Sequence, residues 1–518
     1  MIRTDLIASM GEILRRHASA RPGRLAFEDS SGAAVTYGQL EALSAALAGH
    51  MQDRGLEVGG AVAILLPNSV DWVVSCAAIA RAGGVSVPIS HDAVEAEIRY
   101  RLEDARCRAI IVSPRHLPLI EQLRAELPAL ADVMVAGSDV PPDRLSLARL
   151  SRCPARSAPR DPEDLNATAF LVYTSGTTGR AKGVMLTLHG MLWVTAACWA
   201  PIVGLGEHDT LLSPLPLFHS YALNLCVLSV LATGASAFLL EKYSTHDVVN
   251  QLQTGKYTLM PGVPTMFHYL LENARTTGNM KVPGIRCLIS AGAILPAALN
   301  RDFEAAFGVP LVDGYGITET STMVTMNWPG APRVMGSCGL PIPGLATRII
   351  DLDRNDVPLG AEGQLIVRGP NIMQGYLNKP KETADALQGG WYYTGDLARS
   401  DANGFLTITG RLKELIIRGG QNIAPAEVED VVLSHPDVLE CAVLGVAHPH
   451  LGEVPVVCVV PREGTALDPE AIRGHCSTLL SAYKVPHTVH VVESIPRTGS
   501  GKIMRFKLRE AIEANTAR

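Results

Sequence analysis

Residues 167–185 read ATAFLVYTSGTTGRAKGVM. An apolar run with strand character breaks abruptly into hydroxyls, glycines and one cation, Lys182. Thr174, Ser175, Thr177 and Thr178 offer hydroxyl donors, and Gly176, Gly179 and Gly183 let the backbone come close to a ligand. Successive N–H groups in such a turn cradle polyphosphate oxygens, and the lysine adds positive charge. It is not a Walker A loop, because Gly183 rather than Ser or Thr follows the lysine and the glycine spacing differs. A solvated polar loop is the competing reading of these residues taken alone.

Outward from this stretch, short apolar runs alternate with helical patterns for almost the whole length, the rhythm of an α/β protein. Thr36 to Gln39 predicts a capping box opening a helix towards Arg54. A strand follows at Ala61–Pro67, then a helix from about Ser69 to Ala82 closed by Gly83 and Gly84. CRAIIVS, DVMVAG, YTLMPGV, IRCLISAG and PLVDGYG read as further strands, with helices such as PTMFHYLLENA and LPAALNRDFEAAFG between them. From Ala346 the rhythm changes to strands separated by turn signals, as in a small β-barrel or meander. An α/β pattern restarts over the last hundred or so residues. A compact joint near Gly410-Arg411 therefore divides the chain into domains of residues 1–410 and 411–518. Residues 137–161, rich in Pro, Ser and Arg, read as a surface loop.

The 518 residues are 47% hydrophobic and 19% charged with a formal net charge of −6, which points away from nucleic-acid and anionic membrane surfaces. Ten cysteines show no CxxC pair and no His/Cys ligand spacing; six of them (Cys76, Cys107, Cys226, Cys287, Cys441 and Cys458) sit in apolar runs as reduced core residues. The N-terminal residues read as an amphipathic helix (Leu6, Met10, Ile13, Leu14) rather than a signal peptide. Val227–Leu240 is interrupted by Ser229, Thr233, Gly234 and Ser236 and is shorter than the roughly 20 residues that span a bilayer. A buried helix–turn–strand and a soluble, cytoplasmic protein are expected.

Four more segments follow in order: DGYGITETS (313–321), YYTGDLA (392–398), GRLKELIIRGGQNIAPAEVE (410–429) and PRTGSGKIMR (496–505). With the glycine-rich loop, these resemble the signature motifs of the adenylate-forming superfamily, in particular the acyl-CoA synthetases. The resemblance spans essentially the whole chain. It implies a large N-terminal region of two α/β subdomains with a small β-barrel, followed by a small mobile α+β lid. It also implies an ATP-dependent carboxylate–CoA ligase, with ATP, Mg²⁺ and CoA as its co-substrates and cofactor. An acyl carrier protein is the alternative acceptor, and a non-catalytic binding relative is the alternative from another class. A homodimer is compatible with the resemblance.

Chemistry asks for the same groups. A carboxylate attacking the α-phosphate needs its charge neutralised and the leaving pyrophosphate stabilised. By resemblance Lys502, in the loop TGSGK, is the adenylating lysine, Glu319 the Mg²⁺ ligand and Thr318 a phosphate contact. Resemblance also packs Tyr315 on the adenine with Gly292 and Ala293 nearby, and places Asp313, Gly314 and Gly316 among the ATP/AMP-binding residues. Asp396, acceptor-only when ionised, takes the ribose hydroxyls with Arg411 beside it. Lys413 matches the hinge, and Arg418, Gly419 and Gly420 match the CoA path. The lid would then close one way for adenylation and rotate for thioester formation. No general base is needed, because the substrate carboxylate is already ionised at neutral pH.

Resemblance places the acyl pocket among Phe218–Asn224, Met260–Phe267, Ser290–Gly292, Gly314 and 320–323, with Phe218, His219, Tyr221, Ala222, Gly292, Gly314 and Met323 as its lining. His219 closes the pocket or is a satisfied core histidine. It stands where amino-acid-activating relatives carry aspartate, so an ammonium group lacks a partner. No arginine in these stretches offers itself to a second carboxylate. A hydrophobic monocarboxylic acid is the expected substrate.

Overall fold

Every residue of Ala61–Leu65 is apolar and buried, the pattern of a parallel strand covered on both faces. In the computed structural model, which describes residues 1–137, 140–174, 181–279, 281–462, 464–497 and 503–516, this strand lies inside a sheet clothed by helices. Among the described residues that sheet runs Gly375–Tyr376, Lys182–Thr187, Thr168–Thr174, Val85–Pro88, Ala61–Leu65, Ala109–Val112, Asp132–Val135, Leu145–Ser146. Its first two pairings are antiparallel and the rest parallel.

A second sheet runs Leu311–Asp313, Cys287–Ser290, Leu259–Gly262, Thr210–Ser213, Ser236–Leu239, Leu25–Asp29, Ala34–Thr36, parallel except for its last pair. One apolar core, with Trp72, Trp199, Tyr37 and Phe170 fully buried, packs both sheets against the helices between them. The helix Tyr37–Asp53 starts with the expected capping box, and the Tyr37 hydroxyl ties it to the carbonyls of Val230 (2.9 Å) and Ala235 (2.8 Å). The helix expected after it spans Val70–Arg81.

Val227–Leu240 is the buried helix–turn–strand its broken hydropathy predicted. Its helix ends at Thr233, Gly234 takes the left-handed φ of 74° that glycine tolerates, and Ser236–Leu239 enters the sheet. No described helix is long and apolar enough to cross a membrane. Residues 137–161 depart from the expected loop. Leu145–Ser146 adds an edge strand and Leu147–Arg152 a short helix, because Leu147 is drawn fully into the core despite its polar neighbours.

Two π-helical turns, Thr195–Trp199 and Leu223–Leu228, lie side by side with a closed polar network between them. Trp199 Nε1 donates to Asn224 Oδ1 (2.6 Å), Asn224 Nδ2 to the Met191 carbonyl (2.7 Å), and Thr195 and Ser229 share a hydroxyl bond (2.7 Å). π-turns cost backbone regularity and concentrate beside functional sites. An antiparallel half-barrel follows: Ala346–Ile350, Gly363–Arg368, Trp391–Ser400, Leu387–Gln388, with Leu406–Arg411 paired to Trp391–Ser400. The C-terminal residues form their own sheet around the long hairpin of Val438–His448 and Gly452–Pro461, with separate apolar cores on its two faces.

Candidate active site

The strand Thr168–Thr174 pairs with Lys182–Thr187 so that Thr174 stands opposite Lys182. The loop between them, with Ser175, Gly176, Thr177, Thr178 and Gly179, lies outside the described residues, as does Lys502. Thr174 and Lys182, at the two described ends of that loop, are thus set opposite each other by the hairpin register. On the other side of Lys182–Thr187, Tyr376 pairs with Val184. Its ring lies under the Lys182 ammonium, with Nζ 4.7 Å from the ring centroid. Its hydroxyl donates to Glu319 Oε1 at 3.0 Å, and the Met373 N–H holds the Glu319 carbonyl at 2.8 Å. Burial and then the Glu319 charge raise the Tyr376 hydroxyl above its ordinary pKa, so it stays a donor.

Thr318, beside Glu319, is buried and shares a 3.1 Å hydroxyl contact with Ser220. The turn after it is strained: Ser321 has φ 49° and Thr322, β-branched, φ 104°. Asn371 braces this turn, its Nδ2 donating to the carbonyls of Thr320 (2.7 Å) and Met323 (2.8 Å). Gly316 has no room for a side chain, since a Cβ would overlap the Thr322 carbonyl. Gly314 is equally confined by Met323 and Met326, and its N–H donates to the Ser290 carbonyl at 3.0 Å. Asp313 is buried, burial pushes its carboxyl pKa far up, and Oδ1 has no hydrogen-bond partner among the described residues.

Tyr315, Asp396 and Arg411 form one unit. The Tyr315 hydroxyl donates to Asp396 Oδ2 at 2.5 Å, and Arg411 Nε lies 3.1 Å from Oδ1. Asp396 and Arg411 face each other as strand partners, and the Asp396 N–H is held by the Thr394 hydroxyl at 3.0 Å. Gly292 takes φ +88°, an added Cβ would contact Val263 at 3.6 Å, and Ala293 beside it is exposed.

Tyr221 is fully buried. Its ring stacks on Trp199 with centroids 6.2 Å apart, and its hydroxyl donates to the Ile289 carbonyl at 3.2 Å. Ala222 and Met323 are buried beside the same core, while Phe218 is half-buried. His219 caps the short helix Ser220–Ala222, its Nδ1 accepting from the Tyr221 N–H. Lys413 is exposed in the turn Leu412–Glu414. Arg418, Gly419 and Gly420 turn within the lid: Arg418 donates to the Tyr483 carbonyl and the Gly419 N–H to that of Leu451, each at 2.7 Å.

Thus the structure joins Lys182 to Glu319, Thr318 to the pocket segment at Ser220, and Tyr315 to Asp396 and Arg411. Tyr376 and Asn371 escaped the sequence reading. Each acts on a turn distant in sequence, and nothing in the spacing of NIMQGYLNKP marks either one.

Residues 14–377 match the family model of AMP-binding enzymes, and residues 427–502 that of the AMP-binding enzyme C-terminal domain. The chain is 34% identical to a long-chain-fatty-acid–CoA ligase of Yersinia pestis, covering 98% of this chain and 95% of the relative. It is also 34% identical to an indoleacetate–CoA ligase of Aromatoleum aromaticum, covering 98% and 99%. Its fold superposes on the anthranilate CoA ligase AuaEII, solved with anthranoyl-AMP, with a TM-score of 0.92 at 28% identity over 100% of both chains.

Proposed function

Because this chain belongs to the AMP-binding enzyme family, we propose that the clusters around Glu319 and Asp396 activate a hydrophobic monocarboxylic acid. The chain is an ATP-dependent carboxylate–CoA ligase, an acid–thiol ligase that forms AMP. One observation carries the assignment of parts: a cation–ring–carboxylate line (Lys182, Tyr376, Glu319) and a hydroxyl–carboxylate–guanidinium unit (Tyr315, Asp396, Arg411) flank the same strained turn.

A carboxylate oxygen of the acid attacks the α-phosphorus, the bond to the bridging oxygen breaks, and pyrophosphate leaves. Thr174, the glycine-rich loop and Lys182 hold the departing phosphates; Asp396 and Arg411 hold the ribose, and Tyr315 the adenine. The residues fit Mg²⁺: one hard carboxylate, Glu319, beside the Thr318 hydroxyl would hold the ion together with oxygens of the nucleotide, and there it would supply charge neutralisation for the polyphosphate. Lys502 reaches in from the lid to neutralise the charge of the carboxylate and the α-phosphate. In the second half-reaction the CoA sulfur attacks the acyl carbon and AMP leaves, with Lys413 as the pivot and the 418–420 turn admitting pantetheine.

The rigid apolar wall of Tyr221 on Trp199, with Ala222 and Met323, favours a hydrophobic acyl group. Long-chain fatty acid, indoleacetate and anthranilate, named for three of the relatives, each carry a single carboxylate on an apolar or aromatic body, whereas sulfoacetate, named for another, does not fit that description. The test is pyrophosphate release over a panel of carboxylic acids with and without CoA, with products followed by mass spectrometry. Acyl-CoA from an apolar acid is the expected product. Preferential turnover of a dicarboxylic or amino acid would overturn the substrate class, and acyl-AMP that ignores CoA would move the acceptor to a carrier protein.

A further inference from the structure

We propose that Asp104 and Tyr100, on the helix Glu95–Asp104, are positioning residues for Lys182 that set the affinity of the site for the β- and γ-phosphates of ATP; this rests on the reading of Lys182 above as a polyphosphate contact.

Lys182 begins a strand flanked by Thr168–Thr174 on one side and Gly375–Tyr376 on the other. Its ammonium sits at the end of a long flexible stem, so its reach depends on where that strand is held. Hydrogen bonds tie this level of the sheet to one helix. The Tyr100 hydroxyl donates to the carbonyl of Ala181, the residue before Lys182, at 2.8 Å. The Tyr173 hydroxyl, from the strand on one side, donates to Asp104 Oδ2 at 2.8 Å. Asn378, just beyond Tyr376 on the other side, donates through Nδ2 to the Asp104 carbonyl at 3.0 Å. Asp104 thus staples the two outer strands across the middle one.

The packing beside Lys182 transmits this hold. Tyr173 faces Gly183 across the hairpin, and its ring lies so close that a Cβ on Gly183 would stand 3.0 Å from Cζ. The Gly183 carbonyl accepts from the Leu377 N–H at 2.8 Å. Tyr100 meets the Tyr173 ring edge-on, with centroids 6.0 Å apart. Asn378 takes a left-handed φ of 53°, which asparagine tolerates better than most residues. Burial, and then the bond to Asp104, raise the Tyr173 hydroxyl above its ordinary pKa, so it stays a donor.

Asp104 and Tyr100 therefore act on Lys182 through its neighbours: Ala181 before it, Gly183 after it, and the segment of Tyr376, whose ring lies 4.7 Å from its ammonium. AMP lacks the phosphates assigned to Lys182. Displacing that lysine should weaken ATP and pyrophosphate binding and spare AMP.

The experiment measures binding of MgATP, pyrophosphate and AMP to the full chain by calorimetry, comparing Asp104→Ala, Asp104→Asn, Tyr100→Phe and Lys182→Ala. Losing the charge-assisted bond in Asp104→Ala should weaken MgATP and pyrophosphate roughly tenfold, with AMP within about twofold of wild type. Tyr100→Phe removes one oxygen, a change too small to unfold the chain, and should weaken both roughly threefold to fivefold. Asp104→Asn keeps an acceptor for Tyr173 and should recover most of the loss. Adding Asp104→Ala to Lys182→Ala should cost little more, because the two act through one group. Equal weakening of AMP, unweakened MgATP binding, or full additivity with Lys182→Ala overturns the positioning role. A Lys182→Ala chain that binds pyrophosphate as tightly as wild type would instead sink the reading of Lys182 itself.

Discussion

Tyr376 shows its two faces to two partners, its ring to the Lys182 ammonium and its hydroxyl to the Glu319 carboxylate. A phenylalanine there would keep the first contact and lose the second, freeing the carboxylate proposed to hold Mg²⁺ from one fixed orientation. Tyr376→Phe is expected to raise the MgATP concentration needed for half-maximal exchange about tenfold, read by ATP–pyrophosphate exchange at varied Mg²⁺ and by nucleotide-binding calorimetry. An unchanged Mg²⁺ dependence would remove Tyr376 from the site. Tyr221, whose buried ring stacks on Trp199, is assigned to the acyl side in the proposed reading. Tyr221→Leu shortens the proposed acyl wall and should shift kcat/KM towards longer or bulkier acids by roughly tenfold, the scale of a small change in apolar pocket volume. A panel of acids of graded length reads this shift directly, and an unaltered ranking would place the wall elsewhere.

At the scale of the element, the turn from Thr318 to Met323 is the strained one, and it carries Glu319, the proposed metal ligand. Its positive φ angles at Ser321 and Thr322 persist only because surrounding bonds over-determine them. Asn371 supplies two of those bonds from a buried position. Asn371→Ala leaves two buried carbonyls without donors and should cost ~2–4 kcal/mol, seen as a lower midpoint in urea unfolding. The strained turn should relax in the same variant, so exchange activity should fall further than the loss of folded protein explains. The hairpin Thr168–Thr187 is the opposite case: local pairing brings Thr174 to Lys182 without help from distant residues.

At the scale of the molecule the lid separates two chemistries that need different groups in one cleft. Lys502→Ala is expected to abolish acyl-AMP formation while leaving thiolysis of supplied acyl-AMP near wild type, as measured by mass spectrometry of the two half-reactions. Equal loss in both, with the fold intact by circular dichroism, would overturn the assignment of that lysine to adenylation. The last helix, Arg505–Thr516, is tied to the hinge turn by Arg505, which pairs with Glu414 at 3.2 Å and Glu429 at 2.5 Å. Arg505 thus ties the last helix to the turn that holds Lys413, the proposed hinge.

Much of this is legible in the sequence. The capping box at Thr36–Gln39, the buried run Ala61–Leu65 and the broken apolar stretch ending at Leu240 depend on residues a few positions apart, so their signals are local. The chemistry-bearing motifs were legible for the same reason, since a phosphate cradle or a Gly-Asp turn is written in contiguous residues. Only the tertiary structure decided which of these meet. Tyr376 reaches Glu319 across 57 positions and Tyr269 reaches Glu440 across 171, pairings that no periodicity encodes. Residues 145–152 became strand and helix rather than loop because Leu147 gained more from the core than its polar neighbours could oppose. Local pattern thus determined the elements and their chemical content, while long-range burial and hydrogen bonding determined the site they share.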